Sequence, residues 1–525
     1  MQEQKDNGFY KWMALFVVII GTFMSILDSS IVNIAIPKLM AVFGVSLDSV
    51  QWILTAYTLA LAAIIPLTVY LGEILGTKKL YIIALAMFTM GSLVCGFAWS
   101  NSSMIVFRVI QALGGGMIMP VGMSIILEVI PPHERGMAFG FYGIAAMAAP
   151  AIGPTLGGFI IEKLDWRMLF LVNVPIGIVG VIMAAIILQP SKTKPMKGFD
   201  FIGFASSVIG LVSILYVLGE GSAIDWGNVK NPLLMILGCG SLLIFVVNEL
   251  THPAPLLDLR TLKIYDFGMS QVASCVTTFA LMGGAYVVPI FLQSMRGYTA
   301  METGLIMLPA ALATGVMMPI SGALFDKVGV KPVVIPGLII LAISSYYLSF
   351  INMNTSKETI IFLLSVRGIA LGLAMMPVST AGMNAVPREK NANASALNNT
   401  IRQITSALSI TVMTTMINSR LHDNYAKLSG QITSFNPQAA NFIKQIQALF
   451  TINHYSSAEA QAAATSTLYG MVYKQAYLDA MDYATALSVI AVIVAIMFVL
   501  FMSGKKKLAS KDDQNEEAGH AIMFE

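Results

Sequence analysis

Residues 66–79 read PLTVYLGEILGTKK, and residues 319–332 read PISGALFDKVGVKP. Aligned without a gap, the two segments share a proline, a leucine, an acid, a glycine and a lysine. The matched pairs are Pro66 with Pro319, Leu71 with Leu324, Glu73 with Asp326, Gly76 with Gly329 and Lys78 with Lys331. Chance alone could produce one such match, so a second is needed before the chain is interpreted as duplicated.

A second repeat follows each of these segments. Arg108 precedes the triplet Met-Pro-Val at 119–121, and Arg367 precedes the same triplet at 376–378. Two matches in the same order predict two related halves. Parallel repeats of this kind are typical of secondary transporters, in which the substrate site lies between the halves near the middle of the membrane.

The composition is that of a polytopic helical membrane protein. The chain is 56% hydrophobic and 11% charged, with a mean hydropathy of +0.76, whereas soluble domains carry about 25% charged residues. Counting about 20 apolar residues per span predicts an all-α protein with about fourteen spans. Their approximate limits are 12–36, 51–71, 79–98, 104–128, 136–160, 168–189, 200–220, 231–249, 265–292, 303–325, 333–350, 358–385, 395–417 and 483–503.

The span count and the repeat together predict the domain organisation. Residues 1–190 form an N-terminal six-helix half, 191–260 two additional transmembrane helices and their linkers, and 261–503 a C-terminal six-helix half. Alternate loops are rich in lysine and arginine, so the positive-inside rule places both termini, including a tail at 504–525, in the cytoplasm. The polar loop 418–482 then faces outside.

The loop 418–482 contains two segments of helical composition, at 437–450 and 457–480. One interpretation is a surface hairpin that caps the outer face. The other is a gating or partner-binding element.

Residues 148–158, AAPAIGPTLGG, lie within the fifth predicted span and contain five helix-weakening residues. Each proline would cost about 3 kcal/mol and each glycine about 1 kcal/mol in a soluble helix. In lipid the backbone has little alternative to a helix, because unpaired polar groups are expensive there. A kinked helix that another helix can approach closely is therefore predicted. The residues concerned are Pro150, Gly153, Pro154, Gly157 and Gly158.

Four motifs, in order, resemble the major facilitator superfamily, specifically its fourteen-span drug:proton antiporter branch of the EmrB/QacA type. They are LDSSIVNIAIP at 27–37, RVIQALGGG at 108–116, GPTLGG at 153–158 and WRMLFLVNVPIG at 166–177. The third is similar to the fifth-helix motif associated with antiporters. The resemblance covers nearly the whole chain and implies two six-helix halves plus two central helices.

The first loop motif departs from the family pattern, which has Gly, Asp and Arg where this chain has Val69, Glu73 and Ile74. The second copy is nearer the pattern. The resemblance implies that these motifs tie helix ends together on the cytoplasmic side and stabilise the outward-open state; the alternative is two ordinary cytoplasmic turns. The motif residues are Glu73, Gly76, Lys78, Gly322, Asp326, Lys327 and Gly329.

Asp28 is the strongest functional candidate. It lies about 24 Å along the first span at 1.5 Å per residue, and an ionisable group at such depth indicates function. Arg108 enters from the outer end of the fourth span, so the two side chains could be neighbours. One hypothesis is that Asp28 carries a coupled proton and Arg108 modulates its pKa. The other is a static ion pair that fixes helix register.

A polar patch surrounds Arg402 in the thirteenth span, where the arginine either lines a cavity or pairs with helix carbonyls. Deep carboxylates are otherwise scarce, which favours monocationic, zwitterionic or neutral amphipaths over dications. The candidate cavity residues are Asn33, Trp52, Tyr57, Gln111, Tyr142, Tyr286, Gln293, Asn398 and Arg402.

The sequence together with the resemblance implies a proton-coupled multidrug efflux antiporter that exports small amphipathic compounds by alternating access. It is a multi-pass protein of the cell (inner or plasma) membrane, monomeric and surrounded by lipid, with no nucleic-acid partner. The proton gradient replaces any cofactor. An accessory adaptor, as some relatives use, is left open.

There are two alternative functions. A dedicated exporter of one endogenous product, such as a lipid, peptide or siderophore, fits the same pattern. A polytopic membrane enzyme fits poorly, because the five histidines lie in loops or the tail and have no metal-ligand spacing. The three cysteines fall in apolar segments and are interpreted as core residues, not as metal ligands.

Overall fold

The computed structural model describes residues 8–191, 193, 198–220, 224–432, 437–452 and 455–502, which form helices and their connections without a β-strand. The helices of the N-terminal half are α1 (Gly8–Phe43), α2 (Leu47–Ile64), α3 (Leu67–Leu75), α4 (Thr77–Gly96), α5 (Asn101–Val129), α6 (Arg135–Lys163), α7 (Met168–Leu171) and α8 (Asn173–Ile187). The remaining helices are α9 (Phe201–Gly219), α10 (Lys230–Thr251), α11 (Tyr265–Ile290), α12 (Ala300–Val328), α13 (Val330–Leu348), α14 (Lys357–Asn384), α15 (Asn391–Ser429), α16 (Pro437–Ile452) and α17 (Ser457–Phe501).

Each of the fourteen predicted spans falls on a helix or a closely joined helix pair. Among the described residues, twelve helical segments are long and apolar enough to cross a membrane. A thirteenth span is the pair α2–α3, bent by 55° where Pro66 stands between the two helices. The remaining predicted span falls on α15, which has 39 residues but is too polar to be counted among these helices, so the fourteenth span stays a prediction. The predicted all-α fold is confirmed.

The predicted loop 418–482 is largely helical. Helix α15 continues to Ser429, α16 forms a separate helix, and α17 begins at Ser457 under a capping box formed by Ser456 and Glu459. The predicted helical segments 437–450 and 457–480 are thus confirmed. The placement of this region on the outside and its function stay predictions, and the tail 504–525 lies outside the described residues.

The two halves have equivalent internal packing. In the N-terminal half α4 packs on α5, α2 on α5, α1 on α6 and α4 on α8. In the C-terminal half the counterparts α13–α14, α12–α14, α11–α15 and α13–α17 are also in contact. The sequence repeat therefore corresponds to a structural repeat. Helices α9 and α10 pack against each other, and α9 contacts both α2 and α15.

The halves meet at the end of the bundle that carries the turns at Gly76, 130–134 and Gly329, called here the inner end. Helices α6 and α12 cross there through paired glycines. A Cβ atom on Gly322 would lie 2.0 Å from the carbonyl oxygen of Gly136, and one on Gly140 would lie 2.6 Å from that of Met318. Only glycine permits this backbone approach, which closes the inner end. The predicted cytoplasmic location of this end is untested.

Gly140→Ala should destabilise the protein by about 1–3 kcal/mol, because its methyl group overpacks the contact between α6 and α12. The matched control is Gly158→Ala in the same helix, where an added Cβ meets nothing within 4 Å. Thermal unfolding of both purified variants checks the expectation. Equal unfolding temperatures would show that this approach does not limit stability.

Candidate functional site

A fully buried polar cluster surrounds Asp28 in the N-terminal half. Arg108 donates through Nη1 to Oδ2 of Asp28 at 2.5 Å, whereas Oδ1 accepts from Gln111 at 2.9 Å and from Asn173 at 2.8 Å. The side chains of Asp28 and Arg108 have no solvent exposure. Three helices, α1, α5 and α8, therefore meet on one carboxylate, and α4 joins the cluster through Ser92, which accepts from Gln111 at 2.6 Å.

The Arg108 guanidinium is enclosed by aromatic rings. Its Cζ lies 3.9 Å from the centroid of the Tyr57 ring and 5.8 Å from that of Phe170. Nη1 also donates to Oε1 of Gln111 at 2.6 Å, while Nε and Nη2 have no hydrogen-bond partner among the described residues. The ion pair thus lies in a dry pocket, where electrostatic interactions are strong.

Asn173 and Ser92 were missed at the sequence level as members of this cluster. Asn173 belongs to the motif at 166–177, so the resemblance was a signal for it. Nothing comparable pointed to Ser92, because α4 is apolar around most of its circumference.

The C-terminal half has the arginine without the acid. Arg367, the repeat counterpart of Arg108, is buried and donates to Oγ of Ser345 at 2.5 Å and to the carbonyl of Ala280 at 2.6 Å. The neighbouring residue on α11 is Gly284, where a Cβ would lie 2.6 Å from Cζ of Arg367. No described carboxylate forms a salt bridge with Arg367, so the buried acid is a feature of one half.

A second feature is a cavity between the halves, with an empty volume of about 610 Å³ including the part open to solvent. From the N-terminal half Met123 and Tyr142 reach it. Helix α11 contributes Gln271, Ser274, Cys275, Thr277 and Thr278; α14 contributes Met375, Met376, Val378 and Ser379; and α15 contributes Asn398, Ile401 and Arg402. Most of the lining therefore comes from the C-terminal half.

The predicted cavity residues are divided among several places. Tyr142, Asn398 and Arg402 line the cavity, whereas Tyr57 and Gln111 belong to the Asp28 cluster. Trp52 packs on Tyr216 of α9, with ring centroids 5.6 Å apart. The structure does not bring Asn33 or Gln293 to the cavity, and both are exposed. The side chain of Tyr286 lies outside the described part of the chain.

The run 148–158 lies within the continuous helix α6 and packs on α1 of its own half. The Ser30 hydroxyl donates to the carbonyl of Pro150 at 3.2 Å, and a Cβ on Gly153 would lie 2.3 Å from that hydroxyl. A Cβ on Gly157 would meet Ile31 at an ordinary 3.4 Å, and Gly158 faces open space. The predicted close packing is therefore found at Gly153. The side chain of Pro154 lies outside the described part of the chain.

The two loop motifs share one backbone feature. Gly76 and Gly329 have φ values of +81° and +86°, a conformation that favours glycine. In the second copy Asp326 accepts from the backbone amides of Gly136 and Met137, both at 3.0 Å, and so caps the first turn of α6.

The remaining motif residues lie at the same end. Gly322 forms the close contact with Gly136, and Lys327 is exposed. Lys78 donates to the carbonyl of Ala185 at 2.7 Å. Glu73 is half-buried beside these groups. The second copy therefore joins the two halves, whereas Lys78 of the first copy binds within its own half.

Two related six-helix halves, a cavity between them and a buried acid in one half together define a secondary-transporter architecture. The family model of the Major Facilitator Superfamily matches residues 18–410, and the chain belongs to this family. It is a multi-pass protein of the cell membrane, and its fold and relatives are those of transporters rather than of an enzyme family.

Sequence relatives support the drug-transporter branch. The chain is 36% identical over 484 residues to an uncharacterized MFS-type transporter, YhcA, of Bacillus subtilis (strain 168), covering 91% of this chain and 90% of YhcA. It is 30% identical over 457 residues to the multidrug export protein EmrB of Escherichia coli (strain K12), covering 86% and 88%. The fold resembles that of the proton:xylose symporter XylE, with a TM-score of 0.59 at 13% identity, covering 95% and 98%.

Asp28→Asn should lower the free energy of unfolding by about 3–5 kcal/mol, because it leaves Arg108 as a buried charge without an ionic partner. The double variant Asp28→Asn/Arg108→Gln removes both charges and should recover much of the loss. Denaturant unfolding of the purified variants gives the comparison. A double variant as unstable as the single one would contradict the ion pair as the cause.

Asp326→Asn should loosen the inner end, because one amide of α6 loses a bond to a charged acceptor worth about 1.5–3 kcal/mol. A cysteine placed at Ser395, whose hydroxyl donates to the carbonyl of Pro120 at 2.7 Å across the halves, should then react with a maleimide at least about tenfold faster. Glu162→Gln, at the exposed far end of α6, is the control. Unchanged labelling in Asp326→Asn would exclude a closing role.

Proposed function

We propose that the protein is a proton-coupled antiporter that exports small amphipathic compounds by alternating access. The observation that carries the proposal is the buried pair of Asp28 and Arg108, present in one half and separate from the cavity between the halves. A carboxylate that binds a proton at this depth changes the charge balance of four packed helices at once. The name of the multidrug export protein EmrB supports the choice of drug-like cargo.

Helix α5 supplies a mechanical connection between the proton site and the contact between the halves. It carries Arg108 and, further along, Pro120, whose carbonyl accepts from Ser395 of α15 at 2.7 Å. Protonation of Asp28 removes the negative partner of Arg108, and the arginine then needs another arrangement, since an unpaired buried charge is costly. Movement of α5 would alter its contact with α15 and so open the inner end.

Met123, Met375 and Met376 in the cavity favour varied substrates over one endogenous product, because flexible, polarisable methionines adapt to different shapes. A dedicated exporter remains the second candidate, and a broad substrate range would exclude it. We propose the monomer as the working unit, driven by the proton gradient without a cofactor, and reconstitution of the purified protein tests whether an adaptor is needed.

Purified protein in liposomes tests this proposal with the neutral amphipath N-phenyl-1-naphthylamine. We expect transport that needs an imposed pH gradient, stops with nigericin plus valinomycin and is indifferent to ATP. Asp28→Asn should lose gradient-driven transport by at least about tenfold while substrate exchange continues. Transport without a gradient, or full gradient-driven activity in Asp28→Asn, would refute proton coupling through this residue.

Glu162→Gln is the control for carboxylate removal, since it is exposed at the end of α6. Activity of the purified protein alone would show that no adaptor is needed, whereas activity regained only on addition of a membrane extract would show that one is.

A further inference from the structure

The cavity between the halves has an unbalanced charge. Arg402 is the one charged side chain among its described lining residues. Its Nη2 donates to Oδ1 of Asn399 at 3.2 Å and contacts Sδ of Met119 at 3.5 Å. Both acceptors are neutral, and no described carboxylate forms a salt bridge with this guanidinium. The cavity is therefore positive.

Two acids in the interior of the bundle are already engaged. Asp28 is held by Arg108, Gln111 and Asn173 in its own pocket. The half-buried Asp326 accepts from two backbone amides at the inner end. Neither lines the cavity, and none of the described lining residues is a carboxylate that could compensate Arg402. A cation in a low-dielectric cavity without a counter-ion is costly, and a bound anion would offset that cost.

A second donor lines the same cavity. Gln271 on α11 is 4% exposed, and its Nε2 has no hydrogen-bond partner among the described residues. A buried amide without a partner costs free energy that a suitable acceptor would recover. Gln271 on α11 and Arg402 on α15 line the same cavity, so an acidic group bound there has two potential donors.

The cavity also has an apolar wall. Met123, Met375 and Met376 provide apolar surface in the same space. A site with a positive donor, a neutral donor and an apolar wall complements a molecule with one acidic group and a hydrophobic body. A ligand with a cationic head group would be repelled by the Arg402 guanidinium, and no lining carboxylate would attract it.

We propose that this cavity binds monoanionic amphipaths, with a carboxylate or sulfonate on Arg402 and Gln271 and the apolar body on the methionines. The inference rests on the proposed function only in taking this cavity as the substrate site. It departs from the sequence prediction of monocationic, zwitterionic or neutral amphipaths, which followed from the scarcity of deep acids alone and did not take account of Arg402 and Gln271 in the cavity lining.

Equilibrium binding to the purified protein tests the proposal with a matched pair of probes. N-dansyl-6-aminohexanoate is anionic and dansylcadaverine is cationic, while both carry the same fluorophore on a chain of similar length. We expect the anion to bind at least about tenfold more tightly, as a hydrogen bond to a charged group implies. Equal affinities, or tighter binding of dansylcadaverine, would overturn the proposal.

Variants identify the residues responsible. Arg402→Gln should remove most of the preference for the anion, and Arg402→Lys should keep part of it, because the charge remains but the planar donor fork is lost. Gln271→Leu should weaken binding of the anionic probe without strengthening binding of the cationic probe. Arg420→Gln is the matched control on α15, since Arg420 stacks on Tyr483 at 4.0 Å, away from the cavity. An anion preference undiminished in Arg402→Gln would refute the assignment.

The two assays can refute the proposed function and the inferred anion preference separately. The binding assay uses no proton gradient, so a selective cavity in a protein without proton-driven transport would refute the proposed function alone. Gradient-driven transport of N-phenyl-1-naphthylamine without an anion preference in binding would refute the inference alone. Thermal unfolding of each variant is measured beside binding, and Arg402→Lys serves as the second test if Arg402→Gln does not fold.

Discussion

A single carboxylate determines how the N-terminal half is organised. Asp28 on α1 accepts hydrogen bonds from two other helices, from Arg108 and Gln111 on α5 and from Asn173 on α8. Both side chains of the ion pair are shielded from solvent. In a dry interior the attraction between these charges is large, and so is the cost of separating them. Helices that are otherwise uniformly apolar acquire a fixed orientation because their polar groups must meet at one point.

The asymmetry between halves follows from the same constraint. Arg108 is balanced by an acid, whereas Arg367 relies on a hydroxyl and a backbone carbonyl next to Gly284. Only the first site can exchange an ionic interaction for a neutral one when a proton arrives. The C-terminal half supplies most of the cavity lining, including Arg402. The two halves of the duplicated architecture thus differ: the N-terminal half contains the buried ion pair, and the C-terminal half supplies most of the cavity lining.

Much of the fold was predictable, because apolar length sets the spans and the repeated segments at 66–79 and 319–332 set the two halves. The depth of Asp28 and Arg108 also suggested that they are neighbours, and the structure brings them together. The direction in which the side chains of Trp52, Asn33 and Gln293 point was not predictable, since the sequence of a helix that is apolar on all sides has no hydrophobic periodicity. The contact between Gly136 and Gly322 escaped notice because isolated glycines are common in membrane helices.

Helix α15 is long enough to cross a bilayer, yet it carries Asn398, Asn399 and Arg402 in its first third. A charged residue at the centre of a lone helix opposes insertion by about 2.5–3.5 kcal/mol on translocon-based scales, and polar neighbours add to that. Helices α5 and α11 precede α15 in the chain and pack against it, so we expect this segment to insert beside them and not alone. The feature that gives the cavity its charge also imposes an order on how the chain is assembled in the membrane.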